Sequence, residues 1–219
     1  SRTDIFYRSE TIAQAYQNLY KEFPKAKGKK IILYAPTFRG RVARAKTPDC
    51  FDLEKFAEHF KDEYVVIFKH HPLVKKLPEI PEELNGTFAI DATRSMTIED
   101  LLCVSDICIS DYSSLVFEYS LFERPMLFFA YDLDEYFDWR GFYYDYNELT
   151  PGPVCKTNDE MIDYISARVF AGNYRPGSRI PSVLTGRKSL ILKRNSCVPV
   201  TDMRQTVFCT WFLQTATTA

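Results

Sequence analysis

Three short stretches carry side chains able to act on a phosphate. They are SDYSS at 110–114, the run Lys69-His70-His71-Pro72, and Thr37-Phe38-Arg39-Gly40-Arg41. After the first, Leu115, Val116, Tyr119 and Phe122 recur at helical spacing, which predicts a helix starting at Ser113 or Ser114. A helix start presents unpaired N–H groups and the positive end of the helix dipole, and two hydroxyls add donors. Serine also caps helices in any protein, so the turn alone admits both a phosphate cradle and a plain cap. In the second stretch, imidazole titrates near neutral pH and can donate to a phosphate or exchange a proton. Adjacent residues on an extended chain point to opposite sides, so at most one of the pair faces a given site, and His71, fixed by Pro72, is the candidate. In the third, the Arg39 guanidinium has the fork that pairs bidentately with phosphate, although a lone loop arginine is more commonly solvated.

Each stretch follows a short apolar run. Strands are predicted to end at Ala35, Phe68, Ile90, Ile109 and Phe129, and a last short strand follows the turn Pro151-Gly152-Pro153. Between them lie helical patterns: one from Glu10 to Phe23, one near 52–60 with Leu53, Phe56, Ala57 and Phe60 on one face, one after Thr97 as N-cap, and a closing one over 158–170. The segment from Tyr131 to Tyr136 is expected as an acidic, tyrosine-rich loop, either over a site or on ordinary surface. Alternation of strand and helix predicts an α/β doubly wound parallel sheet with every strand's carboxyl end on one rim, where ligands bind. All five flagged polar exits belong to that rim. Neither GxGxxG nor a Walker sequence is present, which counts against a dinucleotide dehydrogenase and a P-loop NTPase.

Composition narrows the class further. A formal charge of −1 from 28 basic and 29 acidic residues gives no support to a bulk nucleic-acid binder. Six scattered cysteines form no CxxC and no zinc-like pairing with the three histidines, so neither a metal nor a cofactor is expected. Cys103 and Cys108 read as reduced core residues and suggest an intracellular setting. No apolar run of 18 residues is present, so any membrane association is expected to be peripheral.

Taken together, ILYAPTFRG, FKHHPLV, SDICISDYSSLVFEYS, RPMLFFAYDLDEY, RGFYYDY and PGPV, in this order, resemble the CDP-glycerol glycerophosphotransferases, the teichoic acid primases and polymerases, over about residues 1–170. The resemblance implies a Rossmann-like domain equivalent to the C-terminal, donor-binding half of a GT-B fold. Residues 1–8 are then expected to be the end of a linker from an N-terminal half, 9–173 the nucleotide-donor domain, and 174–219 an atypical, loosely ordered tail. It further implies Arg39 near the donor phosphates and His71 stabilising the leaving group. Ser113 and Ser114 would hold the pyrophosphate, and Glu118, one helical turn on, the ribose hydroxyls. The implied reaction moves glycerol phosphate, or a related polyol phosphate, from a CDP-activated donor to a hydroxyl of a lipid-linked acceptor. Its setting is the cytoplasmic face of the cell membrane, and its general base belongs to the other half. Two alternatives stand beside it: a nucleotide-binding remnant without turnover, and a sugar-nucleotide glycosyltransferase or epimerase of the same architecture.

Overall fold

The computed structural model describes Phe6, residues 8–48, 50–140, Tyr146 and residues 150–169. The tail expected at 174–219 lies outside the described residues. Within them the chain builds one six-stranded sheet, all parallel, in the order β3-β2-β1-β4-β5-β6. The strands are β1 (Lys30–Tyr34), β2 (Tyr64–Phe68), β3 (Ala89–Asp91), β4 (Ile107–Ser110), β5 (Met126–Phe129) and β6 (Val154–Cys155). Four of them are buried along their whole length or all but their first residue. Covering on both faces is what a near-continuous apolar strand requires, and it selects the parallel arrangement. The α/β doubly wound, Rossmann-like class expected from the sequence is therefore the observed one.

One face is covered by α2 (Leu53–Phe60) and α6 (Asn158–Val169). Leu53, Phe56, Ala57 and Phe60 pack with Met161, Ile162 and Ile165 against Ile32, Tyr34, Val66, Phe68, Ile109, Leu127 and Phe129. Phe56 is fully buried, and burying such a side chain stabilises the fold by roughly 1.5–3 kcal/mol. The alternate strand residues, Ile31, Leu33, Val65, Ile67, Cys108 and Phe128, are equally buried. Helix α3 (Ile98–Val104) contacts β1, and α1 (Ser9–Glu22) packs on α3, where Asn18 donates to Asp100 at 2.9 Å.

Local sequence sets the helix ends. Asp52 accepts from the Lys55 N–H at 2.9 Å and starts α2, while Thr97 accepts from the Asp100 N–H at 3.1 Å and starts α3 as expected. Thr157 and Glu160 bracket the start of α6: Thr157 accepts from the Glu160 N–H, and the Glu160 carboxylate accepts from the Lys156 N–H. Arg124 donates to the carbonyls of Cys103 and Ser105 and so closes the C-terminal end of α3.

Two elements differ from expectation. The helix predicted after Ser114 is short: α4 (Leu115–Tyr119) passes into a 3₁₀ turn, Ser120–Phe122, and stops at Glu123 with φ of 54°. The acidic segment after Tyr131 is not a loop but α5 (Leu133–Arg140). Asp134 and Glu135 lie in its first turn, where negative charge complements the helix dipole, so the acidity that suggested a loop, over a site or on ordinary surface, marks a helix start.

Candidate functional site

Strand order defines where a ligand can enter. From β1 the chain moves outward through β2 to β3, and from β4 it moves the other way through β5 to β6. β1 and β4 therefore mark the point where the strand order reverses, the place along the carboxyl edge where ligands bind in open α/β sheets. The β1 exit carries TFRG and the β4 exit carries DYSS. Two of the three chemistry-bearing stretches thus flank this switch point, and the third leaves β2, the other neighbour of β1.

The exits of β1 and β4 are bonded together residue by residue. Ser110 donates its hydroxyl to the Ala35 carbonyl at 2.7 Å, and Ala35 N–H donates to the Ile109 carbonyl at 2.9 Å. Asp111, 3 % exposed, accepts from the Thr37 N–H at 2.8 Å, the Thr37 hydroxyl at 3.0 Å and the Tyr112 N–H at 2.7 Å. Tyr146 donates its hydroxyl to the Asp111 carbonyl at 2.8 Å.

Arg39 completes this assembly. Its Nε and Nη2 donate to the two oxygens of Asp132 at 2.6 and 3.0 Å, and Nη1 donates to Asp111 at 2.9 Å. Nη1 also reaches the Thr37 carbonyl and hydroxyl at 3.0 and 2.9 Å. The rings of Tyr112, Tyr136 and Tyr131 stand 5.1, 5.3 and 5.7 Å from the guanidinium carbon, and Tyr112 donates its hydroxyl to Asp132 at 3.0 Å. Burial by itself would lower the Arg39 pKa, but the hydrogen bonds and charges of Asp132 and Asp111 outweigh it, and the group is held firmly as a cation. Burial pushes the Asp111 carboxyl up, against the pull of Arg39 and the Thr37 N–H. The fork expected to face a phosphate thus faces two carboxylates.

The histidine pair splits as the extended backbone demands. His70 is buried, stacks on Phe68 at 5.7 Å and shares a 2.8 Å hydrogen bond between Nδ1 and the Thr47 hydroxyl, and burial lowers its pKa. His71 turns the other way, with its ring 4.9 Å from Phe38 of the β1 exit. Its Nδ1 accepts from the Leu73 N–H at 3.2 Å, so in the neutral ring Nε2 carries the proton. Ser114 stands at the N-cap of α4 without a side-chain cap bond, and the Ser113 hydroxyl accepts from the Leu115 N–H at 3.3 Å. Glu118 follows Ser114 by four residues on α4, half-buried. The structure thus ties Arg39 to the serine turn through Asp111 and sets His71 against the β1 exit. Ser113 and Ser114 lead into α4, and Glu118 lies within it.

Sequence reasoning touched Asp132 only as part of an acidic segment that was to lie over a site or on ordinary surface, and gave no role to Thr37 or Tyr112. A signal existed for Asp111, an acid directly after a buried strand, where an ionisable group needs partners. Among the described residues no cluster of histidine, cysteine or acidic side chains is arranged to hold a metal ion, and no helix is long and apolar enough to cross a membrane.

The sequence profile described as CDP-Glycerol:Poly(glycerophosphate) glycerophosphotransferase matches residues 1–181. The chain belongs to this family. Among curated relatives, the teichoic acid poly(ribitol-phosphate) polymerase of Bacillus spizizenii is 44% identical over 171 residues, covering 77% of this chain and 28% of its own length. The teichoic acid ribitol-phosphate polymerase TarL of Staphylococcus aureus is 37% identical over 174 residues, covering 78% and 31%. This member of the glycerophosphotransferase family therefore spans about a third of the length of the curated relatives it matches. Among solved structures, the wall teichoic acid polymerase TagF superposes with a TM-score of 0.63 at 29% identity, covering 75% of this chain and 41% of TagF. A TagF variant soaked with CDPG gives a TM-score of 0.64 at 30% identity, with 75% and 40% covered.

Proposed function

We propose that this chain is the donor-binding part of a transferase that moves a polyol phosphate from a CDP-activated donor to a hydroxyl of a lipid-linked acceptor in teichoic acid assembly. The observation that carries the reading is the position of the serine turn: Ser113 and Ser114 open a helix at the sheet's switch point, in a family whose relatives polymerise ribitol phosphate and glycerol phosphate. The solved TagF variant soaked with CDPG supports a cytidine-linked donor.

In this reading the hydroxyls of Ser113 and Ser114 and the N–H groups at the start of α4 hold the donor pyrophosphate. Glu118 accepts from the ribose hydroxyls one turn on. The acceptor oxygen attacks the phosphorus that carries the polyol, the new P–O bond forms as the bond to the bridging oxygen breaks, and CMP departs. His71 is the catalytic residue here: Nε2–H donates to the departing phosphate, where negative charge grows in the transition state. The acceptor's proton goes to a base outside this chain, in an N-terminal half that precedes residues 1–8, with residues 9–173 as the donor domain. The lipid-linked acceptor places the enzyme at the inner face of the cell membrane, held there peripherally.

Calorimetric titration of the chain with CDP-glycerol, CDP-ribitol, CMP and UDP-glucose tests the reading. A CDP-polyol binding at least about tenfold tighter than UDP-glucose, a gap of about 1.4 kcal/mol, is the expected result. Replacing Ser113 and Ser114 together by alanine should abolish that preference while the melting temperature moves little, because neither hydroxyl makes a strong cap bond. Equal weak binding of all four nucleotides would leave a nucleotide-binding scaffold instead.

A further inference from the structure

The fork of Arg39 is largely committed to protein groups. Nε, Nη1 and Nη2 all donate to Asp111, Asp132 or Thr37, three rings enclose the guanidinium, and the side chain is only 17% exposed. A guanidinium so committed has little left to offer a phosphate, and turning outward would strand the 2 % exposed Asp111 side chain without its cation.

The three groups it joins come from three different strand exits. Thr37 and Arg39 follow β1, Asp111 and Tyr112 follow β4, and Asp132 follows β5. Asp111 in turn fixes the backbone of both exits, taking the N–H groups of Thr37 and Tyr112. Tyr112 is hydrogen-bonded to Asp132 and stacked at 3.8 Å on Tyr136 of α5. Ser113 is the next residue. A change at Arg39 therefore reaches the serine pair through one carboxylate and one backbone bond.

We propose that Arg39 is a positioning residue: it clamps the exits of β1, β4 and β5 together through Asp111 and Asp132 and so sets the turn that presents Ser113 and Ser114, and it does not itself ligate the donor phosphates. The last step of this proposal, from turn to donor, rests on the donor-site reading above, and the clamp itself does not.

The two roles separate on Arg39→Lys. Lysine keeps the charge, but it cannot span two carboxylates with a planar fork. The experiment uses the full chain at a temperature well below melting. Amide hydrogen exchange is read at Thr37 and Tyr112, and affinity for CDP-glycerol and CDP-ribitol is read by calorimetry. Expected for Arg39→Lys is faster exchange at both amides together with binding weakened at least about tenfold, in line with what small misplacements of a site cost. Asp132→Asn should give the same pair of changes, and the double variant should be little worse than either single one. Weakened binding with exchange unchanged would make Arg39 a direct ligand and overturn the proposal. Faster exchange with undiminished affinity would reduce the clamp to a purely structural contact and overturn it too, as would no change in either. Should the unaltered chain bind no CDP-polyol, the donor reading fails, while the exchange at Thr37 and Tyr112 still decides whether the clamp exists.

Discussion

Gly152 offers a test of the geometry that holds the β5 exit in place. It lies in the turn Pro151-Gly152-Pro153 that feeds β6, and a Cβ added there would stand 2.2 Å from the Met126 carbonyl oxygen and 3.0 Å from its carbon. Ordinary contact begins at 3.4 Å, so β5 and the turn must separate by about 1 Å, and the obstacle is backbone rather than a flexible side chain. The separation falls on the bonds that pair β5 with β6, Phe128 N–H to the Pro153 carbonyl and Ala130 N–H to the Cys155 carbonyl, each 2.9 Å. Weakening both costs about 0.5–1.5 kcal/mol each, and overpacking of this kind about 1–3 kcal/mol. Gly152→Ala should therefore destabilise the protein by about 2–6 kcal/mol and lower its melting temperature by roughly 4–24 °C. The sign is decisive, because at an unconstrained position the same substitution stabilises by about 0.4–1 kcal/mol through the unfolded chain. Scanning calorimetry of the two proteins measures it. A variant that melts with or above the unaltered protein would refute the close approach of this turn to Met126. Because Asp132 leaves β5 three residues after Phe129, the same shift should also loosen the contact between Asp132 and Arg39.

Asp111→Ala strands two backbone N–H groups, the Thr37 hydroxyl and Arg39, and should cost about 3–5 kcal/mol by denaturant titration, most of which Asp111→Asn should recover if shape rather than charge holds the turn. Burial favours neutral His70 in the folded protein, so the unfolded chain binds more protons in acid. The melting temperature should therefore hold above about pH 7 and fall as pH drops below the unfolded histidine pKa of about 6.5, and His70→Gln should flatten that fall; equal slopes would rule His70 out as its source. Iodoacetamide mapping at pH 7.5 should leave Cys108 and Cys155 unmodified until denaturant is added, because both are buried and burial raises their thiol pKa, that of Cys155 to about 12. Phe56→Ala should lower stability by about 3–5 kcal/mol in the same titrations, since it removes the fully buried ring joining α2 to the sheet.

What was readable in the sequence is what neighbouring residues decide. The apolar runs of β1, β2, β4 and β5 announced strands covered on both sides, Thr97 announced the start of α3, and the extended backbone at 70 and 71 required the two histidines to part. Even the acidic first turn of α5 was present, although acid and tyrosine side by side suggested a loop, over a site or on ordinary surface. Each depends on contacts within about four positions, where periodicity and capping operate. The partners of Arg39 were of another kind. Asp111 and Asp132 lie 72 and 93 residues away, and nothing in either segment says which exit it will meet. That was settled only when packing of the helices placed β4 beside β1 and β5 beyond it, because strand order, unlike strand identity, is a property of the assembled sheet. Arg39 thus keeps its charge, and the tertiary structure gives that charge two carboxylates to hold, Asp111 buried and Asp132 partly so.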